Sequence, residues 1–434
     1  MLLYIDPGTG SMLFSMVIGL VTALVFAGRA LMVKLRFLFT GGSSRETEKR
    51  KKPFVIYSDS KRYHNIFASI CDAFEERKQR LIYYTQSPDD PLLEREYQYV
   101  VCEFIGEGNK GIARMNLLQA DVCLSTTPGL DVLQWKRSRD VGCYVHIPHA
   151  VSDFSTYRMF GLDHYDAVLI NGENQKRFIR KVENYWKIKE KELVMTGSVY
   201  MDEAAKHLAD LEEHTCDIDH PTILVAASWG KNTLLKRYGS RLLQPLVETG
   251  FSIIVRPHPQ SYVSELDMLE ELQKEFPPSD QLEWNRDVDN LAVLNRADIM
   301  ISDFSGVVFD YSFLFGRPVF YADIDFDKSV YDADWFDEEP WDTKVLPEIG
   351  KKLEEKDFAD IKNILLAALR DQKLAKGIES VKEDCWRNRG GALEATVEYL
   401  IKKQKDISGR EQSCENGKDG KKIENKKLAA VKPL

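Results

Sequence analysis

The stretch Ile299-Met300-Ile301-Ser302-Asp303-Phe304-Ser305-Gly306-Val307-Val308-Phe309-Asp310-Tyr311 constrains the fold more than any other. An apolar run after Asp298 ends in small polar residues, and a helical pattern then continues to Gly316 and Pro318. This reads as a buried strand, a tight turn and a helix start, with Asp303 or Ser305 as the candidate N-cap. Unbonded backbone N–H groups and the positive end of the helix dipole make such a corner a place for a phosphate or diphosphate. An ordinary strand-to-helix crossover has the same pattern, so the stretch gains meaning only from a second one.

That second stretch is Phe251-Ser252-Ile253-Ile254-Val255, a strand running straight into Arg256-Pro257-His258-Pro259. The two prolines keep the chain extended and hold His258 out at the strand's C-terminal end. Ligands of open α/β sheets bind at that edge. His258 and Arg256 are therefore expected to face the same crevice as Ser305, with charge suited to phosphate oxygens. A nucleotide-diphosphate site follows.

The 434 residues exceed what one hydrophobic core supports, so two domains with additional segments are expected. A formal net charge of −9 argues against a general nucleic-acid binder. The seven cysteines lack any C-x-x-C pair and mostly lie in apolar runs, which reads as reduced core residues rather than a zinc site.

Residues 12–28 carry no charge and are followed by Arg29, Lys34 and Arg36, then by a basic stretch through Lys52. The length suits a bilayer-spanning helix, and the positive flank puts the rest of the chain on the cytoplasmic side of the cell membrane. A helix lying on the membrane surface fits the same residues. The domain reading is a membrane segment at 1–40, a basic linker at 41–52, a first domain at 53–215, a second at 216–401 and a disordered Lys-rich tail at 402–434. From Pro53 onward strands and helices alternate, first through Met195 and again from Thr222. That is α/β architecture: two Rossmann-like, doubly wound domains facing across a cleft. Leu353–Leu369 and Ala392–Ile401 read as helices closing the second domain, and residues 323–347 as an acidic surface loop capped by Trp335, Phe336 and Trp341.

The first half ends another strand in Cys143-Tyr144-Val145-His146-Ile147-Pro148-His149-Ala150. A histidine at the cleft is a candidate general base, because imidazole titrates near working pH. No carboxylate shares the motif and Cys143 at its start reads as a core residue, so no metal is expected there. His146 reads as a core histidine and His149 as the candidate base.

These segments resemble the CDP-glycerol glycerophosphotransferases over roughly residues 53–400. Ile301–Tyr311 is similar to that family's S/T-D-Y-S-S-x-x-x-D-Y segment, and Arg256–Pro259 to its R-x-H-P. Thr222–Trp229 resembles I-L-Y-A-P-T-W, Thr196–Asp202 resembles G-x-P-R-x-D, and Asn388–Ala392 resembles the closing D-G-x-A/S. The resemblance implies a GT-B fold that uses CDP-glycerol, or another CDP-polyol, as donor substrate and no further cofactor. The donor would be held by Arg256, Ser302, Asp303, Ser305, Gly306, Ser228, Trp229 and Gly197, with His149 and His258 catalytic. An activated acceptor hydroxyl would attack the β-phosphorus and release CMP, the acceptor being a lipid-linked or polymeric cell-envelope molecule. The chain departs from the family's W-H-G-T-P-x-K: His149 matches the histidine, but Ala150 replaces the glycine and the lysine is absent. Gly306 replaces the second serine of S-S, and the arginine of G-x-P-R is missing. A nucleotide-sugar glycosyltransferase and a catalytically silent scaffold of envelope enzymes are the competing readings.

Overall fold

The structure, a computed structural model, describes residues 51–409 apart from 231, 288–289, 304, 323–326 and 330. Seven strands, β1 (Lys52–Ser58), β2 (Leu81–Thr85), β3 (Val100–Phe104), β4 (Ala120–Ser125), β5 (Val141–His146), β6 (Ala167–Ile170) and β7 (Glu192–Met195), form the first sheet. Their order is β3-β2-β1-β4-β5-β6-β7, with every pair parallel. Six more, β8 (Thr222–Ala227), β9 (Ser252–Pro257), β10 (Leu282–Trp284), β11 (Ile299–Ser302), β12 (Val319–Ala322) and β13 (Gly350–Leu353), form the second. They run β10-β9-β8-β11-β12-β13, again all parallel. Helices pack on both faces of each sheet, so β4 and β11 are buried at every residue. That is why they read as continuous apolar runs rather than alternating ones. Strand order reverses between β1 and β4 in the first sheet and between β8 and β11 in the second, and these are the points where such folds open a crevice.

Several elements differ from the sequence reading, among them Leu353–Leu369, where the α-helix begins only at Ile361. The edge strands β10 and β13 are three and four residues long, and β13 reads Gly-Lys-Lys-Leu, too short and polar to signal a strand. Helix Gln372–Cys385 carries Gly377 in its middle, where a Cβ would meet the Glu348 carbonyl at 2.0 Å. The glycine that weakens the helical signal is what allows the close packing.

The second domain also does not end at residue 401. Helix 392–409 crosses back, and Ala392, Val397 and Leu400 enter the core of the first sheet. Its Gln404 Nε2 donates to Asp121 Oδ2 at 2.9 Å, and Arg77 pairs with Glu394. Residues 402–409 are thus helix on the first domain, not tail; residues 410–434 lie outside the described residues, as does the membrane segment read at 1–40. Among the described residues no helix is long and apolar enough to cross a membrane.

The crossover is fastened at one seam. Asp202 accepts from Trp386 Nε1 at 2.9 Å and from Ala392 N at 3.0 Å. Arg387 N donates to Asn171 O, and Asn388 Nδ2 to Thr196 O. Tyr200 OH donates to Asp310 Oδ2 at 2.7 Å, joining the helix after β7 to the helix after β11. The acidic segment expected as a capped surface loop of the second domain is a strap on the first. Asp332 bonds the Tyr157 carbonyl and the Phe160 N–H, Trp335 packs on Phe160 and Trp186, and Phe336 packs on Phe178. Trp335 and Phe336 cover their large apolar surfaces against the first domain, while Trp341 packs on Phe309 of the second.

Gly197 sits at φ +88°, and a Cβ there would lie 2.4 Å from the Arg387 carbonyl. Gly197→Ala is expected to cost about 2–4 kcal/mol through left-handed strain and overpacking at the seam. Urea denaturation of the purified domains checks this, and an unchanged midpoint would contradict it.

Candidate active site

The C-terminal edge of the first sheet is shaped by its serines. Ser125 donates its hydroxyl to Tyr57 O at 2.9 Å and accepts from Thr127 N at 3.1 Å, fixing the loop after β4. Thr126 Oγ1 then stands 2.9 Å from His149 Nδ1. After β1, Ser60 caps the turn Lys61–Tyr63 by accepting from Arg62 N. The Tyr63 ring packs on His149 with centroids 4.9 Å apart, and Tyr157 lies nearly parallel to the imidazole at 6.0 Å. His149 is partly buried in this aromatic slot. Burial and the nearby Arg62 cation lower its pKa to about 4, so the ring is neutral at physiological pH. His146 is fully buried, with Nε2 3.2 Å from Tyr157 OH, and is a core residue as read.

At the edge of the second sheet, His258 follows β9 and its Nδ1 accepts from Gln260 N at 3.1 Å. A neutral ring so held carries its proton on Nε2 and presents a hydrogen-bond donor. Protonating Nδ1 would break that bond. Burial and Arg62 lower the His258 pKa, and Glu265 opposes them. Arg62 belongs to the first domain, and its charge contributes to the lowering of both His149 and His258. The exposed Trp229 ring lies 6.2 Å from that of His258.

Registers align Ala226 with both Arg256 and Ser302, so the ends of β9, β8 and β11 share one edge. β9 and β11 stand two strand spacings apart, roughly 10 Å, and the loops carrying His258 and Ser305 leave from their ends. Helix Val307–Phe315 starts at Gly306 without any side-chain cap, which corrects the expectation of Asp303 or Ser305 in that role. Its N-terminus opens at the edge, with Ser305 partly buried and Gly306 exposed.

Several residues expected to touch a donor instead hold the edge together. Ser302 is fully buried and donates its hydroxyl to Ala226 O at 2.6 Å. The buried Asp303 accepts from Ser228 N at 3.1 Å and from Leu234 N at 3.0 Å, tying the loop after β8 to the loop after β11. Gly197 belongs to the seam. Arg256 directs its guanidinium to Asn285 and to the Asp287 carbonyl. Ser228 is buried at the edge, with its backbone held by Asp303. His149, His258, Trp229, Ser305 and Gly306 remain at the opening.

Sequence reasoning missed Arg62, Tyr63, Thr126 and Glu265. Glu265 Oε1 accepts from Gly230 N at 3.1 Å, and its Oε2 is buried without a partner. No motif marks these residues; only strand order, which puts the loops after β1 and β4 side by side, could have found the first three.

Two doubly wound parallel sheets of this kind resemble the GT-B fold. Residues 160–335 match the family described as CDP-Glycerol:Poly(glycerophosphate) glycerophosphotransferase, so the resemblance carried by the motifs is borne out. The matched span includes the loops bearing His258 and Ser305, while Arg62 and His149 precede it. The Wall Teichoic Acid Polymerase TagF, in a variant soaked with CDPG, is similar in fold, with a TM-score of 0.55 and 15% identity over 88% of this chain and 98% of that one. S. aureus MnaA, in a co-structure with UDP, has a TM-score of 0.50 and 15% identity over 80% of this chain and 94% of its own. No curated protein matches the chain in sequence.

The His149 ring is expected to titrate near pH 4, well below the usual value of about 6.5. Because the unfolded chain binds that proton more readily, the site's contribution to stability falls as pH drops from about 6.5 toward 4. A ring titration by NMR measures this, and a midpoint near 6.5 would contradict the buried placement.

Proposed function

We propose that the protein transfers glycerol phosphate from CDP-glycerol to a hydroxyl of a lipid-linked or polymeric cell-envelope acceptor and releases CMP. One observation carries the reading: the edge of the first sheet bears a neutral imidazole, His149, and the edge of the second bears His258, held with Nδ1 accepting, and a helix start with no side-chain cap. The family match and the similarity in fold support the general class; the donor and acceptor are our reading.

In this reading the diphosphate lies at the start of helix Val307–Phe315, where backbone N–H groups and the dipole favour anions. His258 Nε2–H donates to a phosphate oxygen, and the ring stays neutral because Nδ1 is already accepting. Trp229 offers its exposed face to the nucleoside. His149 donates Nδ1–H to Thr126 Oγ1, which leaves the Nε2 lone pair toward the cleft. Nε2 takes the acceptor hydroxyl's proton as the acceptor oxygen bonds to the β-phosphorus. The bond from that phosphorus to the bridging oxygen breaks, and the electron pair leaves on CMP. Such transfers depend on positioning and charge stabilisation more than on covalent chemistry. The apolar residues 12–28 would hold the domains at the cytoplasmic face of the membrane, where a lipid-linked acceptor is presented.

CMP release from CDP-glycerol in the presence of a polyol phosphate acceptor tests the reading. His149→Ala is expected to lower kcat by about 100-fold or more, as for loss of a general base. His258→Ala is expected to weaken donor binding about 10-fold or more, as for loss of a hydrogen bond to a charged group. Turnover of a UDP-sugar with no release from any CDP-polyol would contradict it.

A further inference from the structure

The donor side of the cleft raises a question of charge. Two phosphates need a cation, and Arg256, the arginine beside His258, bonds inward to Asn285 and the Asp287 carbonyl. Lys236 leans toward Glu265 at 3.8 Å. On the opposite edge Arg62 is exposed, and its Nε donates to Ser60 Oγ at 3.2 Å. The guanidinium lies over the Tyr63 ring at 5.5 Å, and Tyr63 in turn packs on His149. Arg62 forms no ion pair among the described residues, although the chain is rich in carboxylates.

We propose that Arg62, held on the loop after β1 and stacked on Tyr63 beside His149, grips the transferring phosphoryl group across the cleft from His258. This rests on the reading of the protein as a phosphoryl-type transferase and names the residue that completes the site. The position follows from the fold. Arg62 stands just after β1, at the reversal of strand order in the first sheet, and the Tyr63 ring beneath it packs on His149. Its charge disfavours protonation of both His149 and His258, so it lies within electrostatic reach of the base and of the donor-binding ring together. A phosphate between the two imidazoles would therefore lie beside this cation. Ser60 and Tyr63 fix its direction, and the planar guanidinium matches two non-bridging phosphate oxygens.

During transfer Arg62 would neutralise charge on the equatorial oxygens of the β-phosphoryl group. The acceptor proton moves to His149, and the leaving electron pair goes to CMP. Arg62 itself exchanges no proton, because guanidinium stays charged throughout the working range. Its arrival from the opposite domain also means that only a correctly closed cleft has the full charge complement. CMP, which lacks the transferring phosphate, would not engage it.

Arg62→Gln and Arg62→Lys in the full chain test this by CMP release and by calorimetric binding of CMP and CDP-glycerol. Arg62→Gln is expected to lower kcat by about 100-fold or more, the scale seen when a transition-state donor is removed. It should leave CMP affinity within about 2-fold and weaken CDP-glycerol binding, while Arg62→Lys regains part of the turnover. Turnover of Arg62→Gln within about 3-fold of the parent, with His149→Ala inactive, would overturn the role of Arg62 and leave the transferase reading intact. A parent protein that releases no CMP would overturn that reading. The binding arm then decides Arg62 alone: unchanged preference for CDP-glycerol over CMP in Arg62→Gln also overturns its contact with the second phosphate.

Discussion

The Asp202 carboxylate is the constraint on which the functional arrangement depends. Each parallel sheet gathers its loops at one edge by topology alone, but two such edges form a site only if they face each other. Asp202 joins the helix after β7 to the turn that carries the chain back onto the first domain, through Trp386 Nε1 and Ala392 N. A carboxylate this deeply buried needs both donors, since an unpaired charge there would cost several kcal/mol. The fit around it is close: Gly172 and Gly197 leave no room for a Cβ against the backbone of residues 384–387. The strap from Tyr331 to Phe336 fastens a second line of contact.

This division of labour sorts the motifs. Arg256–Pro259 and the segment from Ser302 to Gly306 lie at the cleft, while Thr196–Asp202 and Asn388–Ala392 lock to each other at the seam. The segment Ile301–Tyr311 contributes to both: its Ser305 and Gly306 open at the edge, and its Asp310 accepts from Tyr200. Residues that recur with a chemistry need not touch its substrate. Asp303 shows the same point at short range, because it ties together the loops at the edge of the second sheet.

Most of the fold was legible because parallel strands between helix layers are largely apolar, and eleven of the thirteen strands carry a readable apolar run. What escaped was short, polar or distant. The edge strand Gly350–Leu353 carries two lysines, and the return of helix 392–409 to the first domain is a tertiary choice that an amphipathic pattern cannot encode. At the candidate site, His149 and His258 stand out in the sequence because proline-flanked histidines after strands are conspicuous. Arg62 and Thr126 were not, since nothing local distinguishes them from surface residues. They become visible only when strand order places the loops after β1 and β4 beside His149.

In the proposed reaction the bond broken lies between the two phosphates, so phosphorus travels with the polyol. A single turnover with CDP-glycerol labelled at the β-phosphorus tests this most directly. Label recovered in the acceptor, with unlabelled CMP released, is the predicted result. Label remaining on the nucleotide as CDP would mean that the site cleaves the polyol–oxygen bond, and the account of the facing histidines would be wrong.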